Sequence, residues 1–168
     1  MRIRPVLTVP AAAAAAALLL AVPRTSSAAA RPAQCAEKAV VVRAHRSADP
    51  TVVRISVTNR SSLTCTVDRI PTVTFGDLDG AALPVPAGRS GPYPLGAGRT
   101  AYAAVRTIAD PADPETRRVD SISVSADPSR FGRSFTAREL GAGDAVLVWE
   151  PVTTWWKSSR AAADRALG

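Results

Sequence analysis

Few residues of this chain are of types that could carry out catalysis. His45 is the one histidine, and it follows a β-rich run, beside Arg46. A serine triad needs such a histidine as its base. However, the sequence has no Gly-x-Ser-x-Gly elbow, and Ser90, between Arg89 and Gly91, does not match that pattern. We therefore interpret His45 as a surface residue of a loop, and we predict no catalytic residue.

Two groups of acidic residues could bind a metal ion or catalyse hydrolysis. The run 77–80, Asp-Leu-Asp-Gly, matches the middle of a calcium-binding loop, but Phe75 stands where that loop needs an acid. An Asp-Gly pair between two β-rich runs is typical of a hairpin turn. Asp110, Asp113 and Glu115 form the other group, and a glycosidase would need two such acids facing each other across a cleft. Prolines surround them, so a solvated loop is our interpretation, and no metal site or cofactor is predicted.

The two cysteines, Cys35 and Cys65, favour a disulfide. An exported chain sits where disulfides persist, and a bond between them would close a loop of about 30 residues, worth roughly 3–4 kcal/mol. Two free thiols or an intermolecular bridge are the alternatives.

The tryptophans near the C-terminus are candidates for binding. Trp155 and Trp156 are adjacent and lie beside Lys157, so an exposed indole could stack on a sugar or sit at a membrane surface. The alternative is that this tail packs over an open edge of a sheet. Trp149, at the end of the last predicted strand, is predicted to lie in the core with its indole N–H at the rim. Two long loops, 86–98 and 109–118, add candidates, and the predicted binding residues are Trp155, Trp156, Tyr93, Asp110 and Asp113.

The N-terminus predicts export. Arg2 and Arg4 precede an apolar run over 6–22, and small residues follow at Ala28 and Ala30. This layout is typical of a secretory signal peptide, with cleavage after Ala30, or alternatively after Ala28. An uncleaved anchor would be short for a bilayer and rich in weakly apolar alanine. Lipidation of Cys35 is not expected, because a bulky polar residue precedes it. We therefore expect a secreted or cell-envelope protein, without stable membrane insertion once the signal is cleaved.

Cleavage after residue 30 leaves 138 of the 168 residues, enough for one domain. It removes three arginines and no acid, so the formal charge falls from +7 to +4. The remaining arginines are scattered, whereas a nucleic-acid binder would cluster them. The composition therefore predicts no nucleic-acid partner, and it is compatible with weak attraction to an anionic cell wall.

The mature part alternates short β-rich runs with turn residues. An all-β fold is predicted, an immunoglobulin-like antiparallel β-sandwich of about eight strands, because βαβ alternation is missing. The domains are predicted as a signal peptide over 1–30, one β-sandwich over 31–153, and a tail over 154–168 that is either a short helix or frayed. The predicted strands are 39–43, 51–58, 65–70, 72–75, 81–86 (suited to an edge), 100–106, 119–125, 133–137 and 145–149.

A family resemblance rests on the block 58–80. Its Asn59 and hydroxyl residues predict a turn before Cys65, which is followed by a proline corner at Pro71 and an Asp-Leu-Asp-Gly turn. This arrangement, with Cys35 before it, resembles the domain of unknown function 4232 family of exported and lipid-anchored actinobacterial proteins. The resemblance covers about 35–152 and implies a β-sandwich and export, but no activity. The chain looks like a divergent member, because Arg69-Ile70 replaces the family's Gly-Tyr and a second cysteine pair is missing.

These observations favour a non-catalytic binding module of the cell envelope. Its partner would be a cell-wall glycan or another surface protein. A cell-wall hydrolase that uses the acidic loop, and a purely structural envelope protein, are the alternatives.

Overall fold

The computed structural model describes residues 32–130 and 132–168, which belong to one compact unit. The predicted signal peptide lies outside the described residues. A 3-10 turn, Glu37–Ala39, precedes the first strand. The strands are β1 Val40–Arg46, β2 Val52–Asn59, β3 Cys65–Asp68, β4 Thr72–Phe75, β5 Leu83–Val85, β6 Pro92–Leu95, β7 Thr100–Arg106, β8 Arg117–Val119, β9 Ser121–Ser125, β10 Arg133–Thr136, β11 Val146–Val148 and β12 Val152–Thr154, and the helices are α1 Ala137–Leu140 and α2 Arg160–Leu167.

The largest sheet has five strands in the order β1-β2-β7-β12-β5. Burial alternates along β2: Val53, Ile55 and Val57 are buried, while the residues between them are half-buried. Side chains of a strand point alternately to the two faces of a sheet, so the inner face of β2 is apolar up to Asn59, at the end of the strand. The alternation predicted for this strand is confirmed.

A three-stranded sheet, β10-β9-β4, and two ribbons, β11-β8 and β3-β6, supply the other layer. Their inward residues join those of β2 in a single buried cluster, to which this layer contributes Phe75, Leu95, Ile122 and Phe135, among others. Burying each such side chain contributes about 1.5–3 kcal/mol. The predicted all-β, sandwich-like class is confirmed.

The strand count and one pairing differ from the sequence-based expectation. Three short strands, β6, β8 and β12, were not predicted, because their sequences are typical of loops. Strand β6 contains two prolines, β8 contains two arginines, and β12 directly follows Pro151. In addition, β5 pairs with β12 in parallel, so the fold is not wholly antiparallel. The chain does reverse after β4, where Leu78 N–H donates to the Phe75 carbonyl at 2.9 Å. However, β4 and β5 join different sheets, so the predicted hairpin is wrong.

The C-terminal segment forms a helix on the outer face of the five-stranded sheet. Ser159 caps α2 by accepting from Ala162 N–H at 3.2 Å. Ala163 and Leu167 of α2 pack on Ala104, whose small side chain lets the helix approach β7 closely. The tail therefore covers a face of the sheet, and the helical alternative is the one observed.

Cys35 and Cys65 are bonded to each other, which confirms the intrachain disulfide. The backbone beside the bond is paired as well, because Cys35 N–H donates to the Thr66 carbonyl at 2.8 Å and Thr66 N–H to the Ala33 carbonyl at 2.9 Å. The segment before β1 is therefore held on the β3-β6 ribbon by a covalent bond and by hydrogen bonds.

Asn59 is fully buried and organises the turn after β2. Its Nδ2 donates to the carbonyls of Leu63 at 2.8 Å, Leu95 at 2.9 Å and Gly96 at 3.2 Å. Its Oδ1 accepts from the Ser61 N–H at 2.9 Å and the Ser61 hydroxyl at 2.7 Å. The predicted turn role of Asn59 is confirmed, and the amide also joins this turn to the end of β6.

Candidate functional site

Trp156 does not reach the surface. It is 3% exposed and belongs to the main core cluster, and its indole Nε1 has no hydrogen-bond partner among the described residues. It lies between β12 and a bridge that joins Lys157 to Tyr102 of β7. Its selection as a surface binding residue is therefore corrected, since a ligand cannot stack on a buried indole.

Trp155 is half-buried and fastens the loop that follows β5. Its Nε1 donates to the Pro86 carbonyl at 2.9 Å, and the Arg69 guanidinium lies 5.5 Å from the centre of its ring. A Cβ on Gly88 would come within 2.2 Å of the indole, so the loop backbone already contacts this ring. Arg69 also lies against Gly91. The indole of Trp155 therefore makes its contacts within the protein. One contact comes from Arg69, which lies at a position where the chain departs from the family pattern.

The remaining predicted binding residues are scattered. Tyr93 lies on β6 opposite Val67, is half-buried against the core, and has its pKa raised by that burial. Asp110 and Asp113 are in turns, where their carboxylates accept the N–H groups of Ala112 at 2.9 Å and Glu115 at 2.8 Å. None of the four clefts found among the described residues is lined by Asp110, Asp113 or Trp155. The acidic residues and the tryptophan pair therefore do not meet in any of these four clefts.

His45 lies inside β1, opposite Arg54 of β2, and not in the loop where the sequence placed it. Its side chain is on the surface, as predicted. Partial burial lowers the pKa of this imidazole, and the positive charges of Arg160 and Arg54 lower it further. These neighbours favour a neutral ring, and they provide neither a nucleophile nor an orienting carboxylate.

The ribbon of β8 and β11 separates two clefts, and loop 109–118 runs into it. Arg117 is paired with Val148, and Arg118 with Leu147. Since neighbouring residues of a strand face opposite sides, the two arginines point to different faces of the ribbon. Arg117 lines a cleft of about 300 Å³ and Arg118 one of about 440 Å³.

The first of these we call the Trp149 cleft. Its apolar part includes the half-buried Trp149 with Phe75, Leu78 and Pro151. The Trp149 backbone is fixed, because its N–H donates to the Thr107 carbonyl at 3.0 Å. The sequence predicts this residue in the core with its N–H at the rim; the residue is half-buried, and it lines the cleft.

Three charged residues line the Trp149 cleft beside its apolar part. They are Asp79, Glu150 and Arg117, and all three are exposed. The Arg117 guanidinium also donates to the Glu115 carbonyl at 3.1 Å. Glu150 has a φ of +44°, the one positive φ among the described residues other than glycine. That conformation costs an L-residue about 1–2 kcal/mol, and such strain is found preferentially at functional sites.

The second we call the Arg46–Arg118 cleft. Val53, Ile108 and Val146 form a buried apolar floor beneath Arg46 and Arg118. A smaller apolar groove of about 230 Å³ lies beside the disulfide, between β1 and Arg133.

Sequence reasoning missed Glu150, Arg117, Arg118 and Arg46. Neighbouring arginines in a loop look like solvated charges, and the clefts are assembled from segments far apart in the chain.

Among the helices that the structure describes, none is both long and apolar enough to cross a membrane.

Comparison with known proteins identifies the family alone. No curated protein and no solved structure matches this chain. The family model described as domain of unknown function (DUF4232) matches residues 35–156, which is most of the chain and spans both the disulfide and the Trp149 cleft. The chain belongs to the DUF4232 family.

Proposed function

We propose that this chain is an exported, non-catalytic binding module of the cell envelope, and that the Trp149 cleft binds a sugar unit of cell-wall glycan. The proposal rests on one observation: a partly accessible indole stands beside two carboxylates and a guanidinium in one cleft. Export is supported by the signal-like N-terminus and by the disulfide.

The chemistry of the cleft suits a sugar. The apolar face of a sugar ring packs on an indole. Its hydroxyl groups can donate to the carboxylates of Asp79 and Glu150 and accept from Arg117, each a charge-assisted hydrogen bond. A volume of about 300 Å³ is at the small end of ligand sites, so the cleft would take one or two sugar rings.

Binding is favoured over hydrolysis. A glycosidase needs a carboxyl group whose pKa is raised by burial so that it can donate a proton to the leaving oxygen. Asp79 and Glu150 are both exposed. The acidic loop of the alternative proposal is likewise used in turns, by Asp110 and Asp113.

The test is retention of purified residues 31–168 on insoluble peptidoglycan, followed by calorimetric titration with soluble muropeptides. Glu150→Gln and Arg117→Gln should each weaken binding about tenfold, the loss typical of one hydrogen bond to a charged group. Glu115→Gln and Arg89→Gln are matched controls, since both side chains are exposed and neither lines the cleft. These should bind like the parent protein.

Three results would count against the proposal. Retention no greater than a salt-sensitive background would refute glycan binding. Equal binding by Glu150→Gln and the parent would remove the Trp149 cleft from it. Release of reducing ends from the glycan would favour the hydrolase alternative.

A further inference from the structure

We propose that the Arg46–Arg118 cleft is a second ligand site, which binds an amphiphilic anion through its carboxylate or phosphate group. The site is independent of the proposed glycan cleft, because the two lie on opposite sides of the β8-β11 ribbon and share no residue.

The position of Arg46 carries the inference. On β1 the side chains of Val40, Val42 and Ala44 pack with the main core, and alternation directs Arg46 toward the same side. Arginine at a core-facing strand position normally has an anionic partner, since a partly desolvated cation without one is costly. Among residues 32–130 and 132–168, no carboxylate forms an ion pair with Arg46 or Arg118. The nearby Asp49 carboxylate has its pKa lowered mainly by hydrogen bonds from Thr51 and only in a minor part by the charge of Arg46.

The guanidinium of Arg46 has unused hydrogen-bonding capacity. Its Nη1 donates to the Gly141 carbonyl at 3.2 Å, which occupies one of its five N–H groups. Gly141 ends helix α1 in a left-handed conformation with a φ of +78°, and α1 starts with a capping box formed by Thr136 and Glu139. The arginine is therefore held in place from one side while its other N–H groups remain available.

The one acid that lines the cleft, Asp144, forms a solvent-exposed ion pair with Arg138. Asp144 accepts from Nε and Nη2 of Arg138 at 3.2 Å and 2.9 Å. Arg118 enters from the ribbon, with no hydrogen bond from its guanidinium to another described residue. The cleft thus presents two cations above an apolar floor, and a carboxylate or phosphate is the group that guanidinium binds best.

The apolar floor of the cleft determines which group the ligand carries besides its anion. Val53, Ile108 and Val146 are buried beneath the cleft, and Pro50 and Pro111 form part of its wall. A cleft of about 440 Å³ lies within the usual range of small-molecule sites. An acyl chain of moderate length would cover this floor while its anionic end lies between the two arginines. The ligand class is therefore an alkyl carboxylate or an alkyl phosphate.

Decanoate, decyl phosphate and decanol are the probes, each used below its micellar concentration in calorimetric titrations of residues 31–168. Both anions should bind, and decanol, with the same chain and no charge, should bind at least tenfold more weakly. The ratio of the two anion affinities distinguishes a carboxylate from a phosphate source. Arg46→Gln and Arg118→Gln should each reduce affinity about tenfold, and Arg89→Gln should leave it unchanged.

The Gln variants must first show the melting temperature of the parent without ligand, within about 2 °C. If Arg46→Gln unfolds more readily, Arg118→Gln on the exposed ribbon still tests the site. Equal affinity for decanol and decanoate, unchanged affinity in Arg118→Gln, or no binding of either anion at millimolar concentration would overturn the proposal. Peptidoglycan retention should be the same in Arg118→Gln and in the parent, so failure here is distinguishable from failure of the glycan proposal.

Discussion

Replacing Asn59 with alanine removes the amide that joins the turn after β2 to the end of β6. The Leu95 carbonyl is buried and loses a 2.9 Å hydrogen bond, but it stays paired opposite Cys65 in the β3-β6 ladder. The Leu63 and Gly96 carbonyls also keep other donors, the Ser61 hydroxyl at 3.0 Å and the Arg99 N–H at 3.0 Å. Each of the three lost bonds is therefore worth about 0.5–1.5 kcal/mol.

The Ser61 N–H also loses its acceptor, Oδ1, and adds a smaller cost because it is near solvent, whereas the Ser61 hydroxyl can still donate to the Leu63 carbonyl. Together these terms give a loss of about 3 kcal/mol for Asn59→Ala, a large part of the roughly 5–15 kcal/mol by which domains are stable. For a domain of this size, a melting temperature lower by about 10 °C is expected.

The assay is urea unfolding followed by tryptophan fluorescence with the disulfide intact. Asn59→Asp separates the hydrogen bonds from the loss of volume, because a carboxylate fills the site but has no N–H to donate. It should destabilise at least as much as alanine. Ser61→Ala, which removes one hydroxyl and keeps the backbone bond, should cost only about 0.5–1 kcal/mol. A loss below 1 kcal/mol for Asn59→Ala, or an Asn59→Asp variant as stable as the parent, would refute this reasoning.

Three further predictions concern other parts of the fold. Cys65→Ser, which frees Cys35, should lower the free energy of unfolding by about 3–4 kcal/mol in urea titrations, because the denatured chain regains a loop of 30 residues; an unchanged midpoint would contradict this. Glu150→Gly should raise the melting temperature, with a gain of about 0.5–1 kcal/mol from relief of the positive φ, while it weakens glycan retention; destabilisation would show that the residue is unstrained. A double-mutant cycle on Arg54→Ala and Asp164→Ala should give a coupling of about 0.5–1 kcal/mol that falls with salt, because the 2.9 Å pair is partly exposed; zero coupling would mean that α2 is held by its apolar contacts alone.

Much of the scaffold could be predicted from the sequence because it depends on local signals. The alternation of 51–58 predicted β2, and the Asn and hydroxyl residues after it predicted the turn. The disulfide could be predicted because two cysteines in an exported chain can form only one intramolecular bond. The helix α1 was missed although Thr136 and Glu139 have capping-box spacing, because the run was interpreted as the end of a strand.

The candidate sites could not be predicted, because they depend on which segments meet in space. Arg118 and Arg46 are 72 positions apart in the sequence and share a cleft only because β8 and β1 approach the same end of the sandwich. Trp155 was chosen for its chemistry, but its exposure depends on Arg69 and on the loop at Gly88. Residue type suggests what a side chain can do, whereas packing decides whether it is available.

The position of β12 between β7 and β5 determines the order in which the fold can be completed. Residues 83–85 have no sheet partner until residues 152–154 arrive, so a chain emerging from its N-terminus holds β5 unpaired until nearly all of it is present. Contacts between residues so far apart slow folding, since a long loop must close before they form. The early strands can form a β1-β2-β7 sheet first, but its β7 edge stays open until residues 152–154 arrive. Truncation a few residues before 152 would therefore leave the edges of β7 and β5 unpaired. Pairing of β12 is thus the step that converts an aggregation-prone intermediate into the native fold.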